Sequence, residues 1–265
     1  MQTEDLRFTS NLLRRPAPHG LAVETRLHHM VSVTYAVDPD TLRGHLHRRF
    51  EPDCVSLDRG GLTALVSVVT FLDRDFRFVA CPWPKSTFGQ TNYRAYVTDS
   101  ETGEHVAWFF GTCLDSISVA VPRYVWRLPW HRGRLDFRCP YDERSARYAS
   151  FAVTTRSKWA PADLEVADSG QPPRRLEGFT QLESGLVVLT HPLRGYFFRR
   201  DGTLGTYTVW HDRLQTTEGS IVKARYPLLQ RLGLVQEGDT HSVHSVLLQR
   251  SVDFTIYLPP TKLRD

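Results

Sequence analysis

The sequence has little lysine and no long apolar run. Four of its 33 basic residues are lysines, namely Lys85, Lys158, Lys223 and Lys262. No apolar stretch approaches the ~20 residues that span a bilayer. The N-terminal MQTEDLRFTSNLLRRP also lacks the apolar core of a signal peptide. We therefore expect a cytoplasmic protein without a membrane partner.

Cysteine pairs and the common catalytic motifs are missing as well. The four cysteines include no CxxC pair, so neither a thiolate zinc site nor a disulfide framework is expected. The sequence contains no P-loop, GxGxxG, HExxH or GxSxG motif and no internal repeat. We expect no metal and no organic cofactor.

Positive charge is weak and dispersed. The net charge is +4, and nearly all the basic residues are arginine. Arginine suits bidentate recognition of carboxylates, although a bias in genome composition gives the same enrichment. Because the arginines form no stripe with interleaved aromatic residues, we expect no nucleic-acid partner.

Strand-like segments dominate from Leu21 to Leu258, without the regular strand-helix alternation of a parallel α/β fold. The predicted fold class is mainly β (β-rich α+β), a large curved antiparallel sheet forming a cone- or barrel-like cavity with a few short helices. We expect an N-terminal arm over residues 1–20, a single domain over 21–260 and a C-terminal tail over 261–265.

Several local predictions can be compared with the structure. Capping residues at Asp40 or Thr41 predict a helix through Phe50, and Ser116 predicts a helix over 117–126. Residues 185–190 read as a strand, and 222–232 as a helix. Residues 241–248 and 251–258 read as two final strands.

The stretch from Phe88 to Phe137 holds the densest cluster of polar and aromatic residues. Asn92, Arg94 and Tyr96 stand at alternate positions, so they share one face of a strand. We expect that face to line a cavity.

The order of several motifs resembles a known group. The motifs are DPDTLRGHL at 38–46, NYRAYV at 92–97, AWFFGTCLD at 107–115, VPRYVWRLPW at 121–130 and SVDFTIYLPP at 251–260. In this order they resemble the YqjF-like proteins, an uncharacterised family of the acetoacetate decarboxylase-like superfamily. The resemblance implies a mainly antiparallel sheet around a small-molecule cavity.

The resemblance also implies what this chain lacks. In acetoacetate decarboxylase, one of two adjacent lysines forms a Schiff base with the substrate. In this sequence the two lysine positions are occupied by Trp130 and His131. A glutamate of the decarboxylase corresponds to a position near Asn92 to Arg94, where this chain has no carboxylate. The cavity and fold carry over, whereas Schiff-base decarboxylation does not.

Two readings stay open for the most polar candidates. Arg94 binds a ligand carboxylate or enolate, or it pairs with a buried acid such as Asp115. Asp115 reads equally as a cap at a helix start. His131 is the candidate general acid or base, although single histidines are more often structural. Trp108 and Trp130 are either an aromatic wall of the cavity or part of the core.

These observations favour a protein that binds a small organic ligand. In the leading hypothesis this ligand is an anion. An enzyme on this scaffold is expected to be a lyase that acts on a keto, enol or carboxylate compound. The alternative is a non-catalytic sensor or carrier, and self-association stays open. Catalysis requires His131 and Arg94 to face one cavity, whereas binding requires the anchor Arg94 and no base.

Overall fold

The computed structural model describes residues 6–58, 60–116 and 120–263. Strands predominate in these residues, which confirms the predicted fold class. The strands are β1 Val23–Val37, β2 Phe50–Pro52, β3 Cys54–Ser56, β4 Leu62–Phe78, β5 Cys81–Asp99, β6 His105–Leu114, β7 Trp130–Arg138, β8 Tyr141–Asp142, β9 Arg147–Tyr148, β10 Phe151–Ser157, β11 Ala162–Asp168, β12 Arg194–Phe198, β13 Leu204–His211, β14 Thr217–Arg225 and β15 Val243–Lys262. The helices are α1 Ser10–Leu13, α2 Pro39–Arg43, α3 Ala120–Tyr124, α4 Leu182–Thr190 and α5 Pro227–Arg231.

One large sheet returns on itself through its hydrogen bonds. Strand β15 pairs with β1 and β13, and β6 pairs with β5 and β12. The pairings β1–β4, β4–β5 and β12–β13 complete a closed circuit of β1, β4, β5, β6, β12, β13 and β15. Side chains on one face of each of these strands can therefore meet in a common interior.

The sheet is antiparallel except around β6, which pairs in parallel with both β7 and β12. A parallel pair needs a crossover connection. The segment between Leu114 and Trp130, which contains α3, supplies the crossover for β6 and β7.

The main hydrophobic core lies to one side of this circuit. Valines of β1 and β4, aromatic residues of β5 and β6 and apolar residues of β10 and β11 form it. Helix α2 covers one end, where the Asp38 side chain accepts a hydrogen bond from the Thr41 amide, as an N-cap does. The helix ends at Arg43, so the prediction of a helix through Phe50 was too long.

Helix α4 corrects the prediction of a strand over 185–190. Residues Ser184 to Thr190 are all buried, so the segment lacks the polar face from which a helical period is read. A Cβ at Gly185 would lie 2.8 Å from Leu176 Cδ1 and 2.9 Å from Phe179 Cδ2. Glycine thus allows close packing at this point of the helix.

Other boundaries also differ. Residues 222–232 contain the end of β14 and the short α5, and the two predicted final strands form one strand, β15. The predicted helix over 117–126 lies in part outside the described residues, and α3 covers Ala120–Tyr124. The N-terminal arm contacts the domain, because Leu13 and Pro16 carbonyls accept hydrogen bonds from Trp210 and Tyr257.

Candidate functional site

A cavity of about 60 Å³ lies inside the closed circuit, and every strand of the circuit contributes to its lining. Most of the lining is apolar, with side chains such as Leu27, Phe71, Val209, Val252, Phe254 and Ile256. The polar lining comes mainly from Asp73, Gln90, Asn92, Arg94, Tyr207 and His211. The volume is enough for several water molecules.

The row of polar residues on β5 follows from strand alternation. Gln90, Asn92 and Arg94 occupy alternate positions and all line the cavity. Asn92 stands opposite Val69, and Gln90 opposite Phe71, on the neighbouring β4. The sequence prediction that this face of the strand lines a cavity holds for Asn92 and Arg94.

Arg94 is held from one side. Its Nη2 donates to the Leu189 carbonyl at 2.8 Å, and its guanidinium carbon lies 5.4 Å from the centre of the Tyr96 ring. Leu189 is in the last turn of α4, where carbonyls lack helical partners and favour a cation. The Arg94 Nε is buried without a hydrogen-bond partner in the described structure. Its positive charge is therefore not neutralised by the contacts that hold it.

Asn92 presents a donor to the cavity. Its Oδ1 accepts hydrogen bonds from Gln90 Nε2 at 2.9 Å and from Thr112 Oγ1 at 2.8 Å. Because these donors fix the amide orientation, the NH₂ group is the part left for another acceptor. A carbonyl or carboxylate oxygen suits that position.

Asp73 is a buried acid in the same cavity. Its side chain is 2% exposed, and Oδ1 accepts from Thr25 Oγ1 at 3.0 Å. The other oxygen, Oδ2, is buried without a hydrogen-bond partner among the described residues. Burial raises the pKa of Asp73 to about 7, against the opposing hydrogen bond from Thr25. Near neutral pH this carboxyl can take or give a proton.

His211 is the histidine that faces the cavity. Nδ1 donates to the Asp212 carbonyl at 2.7 Å, and the ring stacks on Phe254 with centroids 5.4 Å apart. Burial is the main cause that lowers the pKa of His211 to about 3, and nearby His191 and Arg94 lower it further. The imidazole is therefore neutral at physiological pH.

Three predicted ligand contacts, Tyr96, Trp108 and Asp115, lie outside the cavity lining. Tyr96 is buried behind Arg94, and its hydroxyl donates to the Leu189 carbonyl at 2.8 Å. Trp108 is in the core against Phe50 and Phe198, as in the alternative reading of that residue. Tyr96 supports the guanidinium without reaching a cavity ligand, whereas Trp108 is a packing residue.

Asp115 does not pair with Arg94. Its Oδ2 accepts from the Leu135 amide at 3.3 Å, which ties the end of β6 to β7. The cap reading cannot be compared with the structure, because residues 117–119 lie outside the described part. Because Asp115 binds the Leu135 amide and forms no ion pair with Arg94, the alternative in which it neutralises Arg94 is wrong.

His131 lies in a separate pocket and does not line the cavity that contains Arg94. Trp130 and His131 are consecutive on β7, so their side chains point to opposite faces. Trp130 lines the cavity, whereas His131 stacks on Trp159 with centroids 4.0 Å apart. Burial, with Arg123 and Arg200, lowers the pKa of His131 to about 4. The expectation that His131 supplies a base beside Arg94 is corrected.

Sequence reasoning missed Asp73 and His211. For Asp73 a signal was present, because it follows Val69 and Phe71 at alternate positions and so shares their face of the strand. A carboxylate on a buried face is rare and commonly functional. His211 ends a strand of mixed composition and carried no comparable signal.

The chemistry of the cavity excludes an amine nucleophile from its own side chains. All four lysines belong to the described residues, and none of them lines the cavity. Within the described chain, no group of three or more histidine, cysteine or acidic residues is placed to hold a metal ion. What the cavity offers is a guanidinium, an amide donor, a neutral imidazole and an acid.

No described helix has the length and apolar composition needed to cross a bilayer.

The fold matches solved structures over nearly its whole length. Acetoacetate decarboxylase from Legionella pneumophila is 14% identical, with a TM-score of 0.57 over 96% of this chain and 94% of that chain. The enduracididine biosynthesis enzyme MppR, complexed with pyruvate, is 15% identical, with a TM-score of 0.57 over 94% and 92%. An acetoacetate decarboxylase-like enzyme from Sphingomonas wittichii RW1 is 11% identical, with a TM-score of 0.59 over 95% and 100%. At these identities the likeness concerns the fold.

No curated protein matches the chain. The structural neighbours confirm the resemblance to an uncharacterised family with the acetoacetate decarboxylase-like fold. Residues 24–253 match the family model DUF2071, described as an uncharacterized conserved protein (COG2071), and the chain belongs to that family.

Proposed function

We propose that this protein binds a small organic anion in the cavity, with Arg94 and Asn92 holding a carboxylate or carbonyl oxygen. The observation that carries the proposal is the state of Arg94. It lines the cavity, it has no carboxylate partner among the described residues, and its Nε is without a hydrogen bond.

A charge in this position favours an anionic ligand for physical reasons. An unpaired charge away from bulk water is costly, and an opposite charge within hydrogen-bond distance offsets that cost. A hydrogen bond between guanidinium and carboxylate contributes about 1.5–3 kcal/mol. The Asn92 amide adds a neutral donor on the same strand face.

The structural neighbours support this ligand class. MppR has been observed with pyruvate, and acetoacetate decarboxylase is named for a keto acid. In this chain we propose a keto, enol or carboxylate compound as the ligand. The binding mode differs from a Schiff base, because no cavity lysine exists among the described residues.

A lyase-type proton transfer on the bound compound is the second candidate, and Asp73 favours it. A carboxyl whose pKa is raised to about 7 serves as general acid or base near neutral pH. The non-catalytic alternative, a sensor or carrier, needs the anchor and no acid. Turnover that is lost in Asp73→Asn while ligand binding persists would distinguish the enzyme from the carrier.

Arg94→Met is expected to remove the affinity for small carboxylates with little loss of stability. The Leu189 carbonyl keeps its hydrogen bond from Tyr96, so the loss of unfolding free energy should stay near 1 kcal/mol. Thermal shift with pyruvate and a panel of small keto acids should raise the Tm of the wild type and leave that of Arg94→Met unchanged. Arg134→Met, at an exposed position of β7, is the matched control and should respond like the wild type.

The opposite pattern would defeat the binding role. A large fall in the Tm of Arg94→Met, with no ligand shift in either protein, would mean that Arg94 is structural.

Borohydride is expected to trap no covalent adduct with acetoacetate or pyruvate. Trapping requires an amine beside the bound ketone, and the residues at the positions where the resemblance expects lysines are Trp130 and His131. Mass spectrometry of the treated protein should show the unmodified mass. An adduct located on Lys85, Lys158 or Lys223 would contradict the prediction.

A further inference from the structure

We propose that the natural ligand carries an amine as well as an acid, and that Asp73 binds the ammonium group while Arg94 binds the carboxylate. The ligand class is an elongated zwitterion whose two charges are separated by several apolar atoms. The inference rests on the proposed function, because Arg94 is taken as the anchor of the anionic end.

Asp73 stands out from the other buried aspartates of the described structure. Asp99 binds Arg49 at 2.6 Å, and Asp53 binds His105 and accepts from Thr98. Asp168 accepts from Thr217 Oγ1 and from two backbone amides. Asp73 has no ion-pair partner in the described chain, and one of its oxygens has no donor at all. This oxygen can therefore accept a hydrogen bond from a donor or cation that the described residues do not supply.

Strand register separates the two unpaired charges. Arg94 stands opposite Ser67 on β4, and Asp73 comes six residues after Ser67 on that strand. Six residues of a strand span roughly 20 Å between Cα atoms, and somewhat less where the strand is twisted. A compound as small as pyruvate does not reach both groups, whereas an extended chain does.

The lining between the two ends suits the middle of such a ligand. Val69 and Phe71 on β4 occupy the cavity face between the levels of Arg94 and Asp73. Val252 and Phe254 contribute from β15. Methylene groups placed here lose contact with water, which favours binding.

Ammonium binding should also release a proton. Thr25 on β1 contacts Asp73, and the titratable groups that share the cavity are Arg94, Tyr207 and His211. Burial raises the pKa of Asp73 to about 7, so part of the population is protonated near neutral pH. When R–NH₃⁺ binds, the Asp73 O–H bond breaks, the proton goes to solvent, and the carboxylate pairs with the ammonium.

The test compares ligands that differ at one end. Calorimetry near pH 8, where Asp73 is mostly ionised, would use caproate, ε-aminocaproate and ε-acetamidocaproate, with γ-aminobutyrate and δ-aminovalerate as shorter chains. In the wild type we expect ε-aminocaproate to bind at least about tenfold more tightly than caproate, as one desolvated ion pair allows. We expect the shorter amino acids to lose this advantage.

Asp73→Asn should remove the advantage of the ammonium group and leave the affinity for caproate within about threefold. On the wild type, calorimetry near pH 6.5 in two buffers of different ionisation enthalpy should report proton release with ε-aminocaproate but not with caproate. That second measurement needs no variant.

The outcomes separate this inference from the proposed function. If caproate binds through Arg94 but the ammonium adds nothing, or if Asp73→Asn keeps the advantage, the zwitterion inference is overturned and the anion site stands. Tighter binding of ε-acetamidocaproate, with proton uptake, would also overturn it.

If no carboxylate binds, the anion site fails. Hexylamine binding that depends on Asp73 would then support the cation site, and no hexylamine binding would overturn it.

Discussion

Asp73→Asn is expected to stabilise the protein more at high pH than at low pH. The gain in the free energy of unfolding over the wild type should be about 4 kcal/mol larger near pH 8 than near pH 4. The unfolded carboxyl has its ordinary pKa of 3.8, and burial raises the folded value to about 7. Between these values the unfolded chain releases the proton and the folded protein keeps it. Wild-type stability therefore falls as the pH rises through this window, and a neutral asparagine removes that loss.

Urea unfolding of both proteins across this pH range measures the effect. Asp99→Asn is the matched control, because Asp99 is also buried but is paired with Arg49. That variant should lose stability at neutral pH, since it removes the buried carboxylate that pairs with Arg49 and leaves only the exposed Glu101 as its partner. A stability difference between Asp73→Asn and the wild type that is the same near pH 8 as near pH 4 would mean that folding does not raise the pKa of Asp73.

His211→Phe is expected to protect the protein against acid by about 3 kcal/mol near pH 4. The ordinary pKa of histidine is 6.5, and burial lowers that of His211 to about 3. As the pH falls below 6.5, the unfolded chain gains a proton that the folded protein cannot bind until the pH nears 3. Stability is therefore lost on acidification, and phenylalanine, which can keep the stacking on Phe254, does not titrate.

The part of the stability difference that comes from the titration of His211 should be small near pH 8 and should grow below about pH 6.5. His19→Phe, at an exposed position of the N-terminal arm, is the control and should follow the wild type. His28 and His131 have pKa values lowered to about 4, so some acid sensitivity should persist. An unchanged pH dependence in His211→Phe would show that folding does not lower the pKa of His211.

These results would bear on how the cavity is used. The fold is shared with an acetoacetate decarboxylase and with MppR, yet the described cavity has a tryptophan, Trp130, where the resemblance expects a lysine. For a carboxylate or ketone we propose anchoring by Arg94 and Asn92 instead. The same scaffold can therefore hold a cavity of different chemistry.

The sequence was informative where local rules decide the structure. Alternation on β5 placed Asn92 and Arg94 on one face, because successive strand residues must point in opposite directions. The lack of regular strand-helix alternation predicted the mainly β fold, and Trp130 and His131, at the positions where the resemblance places two lysines, argued against a Schiff base. Helix α4 was missed because a segment buried on every side has no polar face and hence no readable period.

Tertiary structure decided which polar residues meet. Trp130 and His131 are neighbours in sequence, but the placement of β7 sends one into the cavity and the other into a separate hollow. Asp73 and His211 are 138 positions apart in the sequence, and closure of the sheet through β13 and β15 brings both to one cavity. The unpaired state of Asp73 and of Arg94 Nε depends on every neighbour that folding supplies. Local sequence therefore determined strand faces, whereas long-range pairing determined the cavity and the charges left without partners inside it.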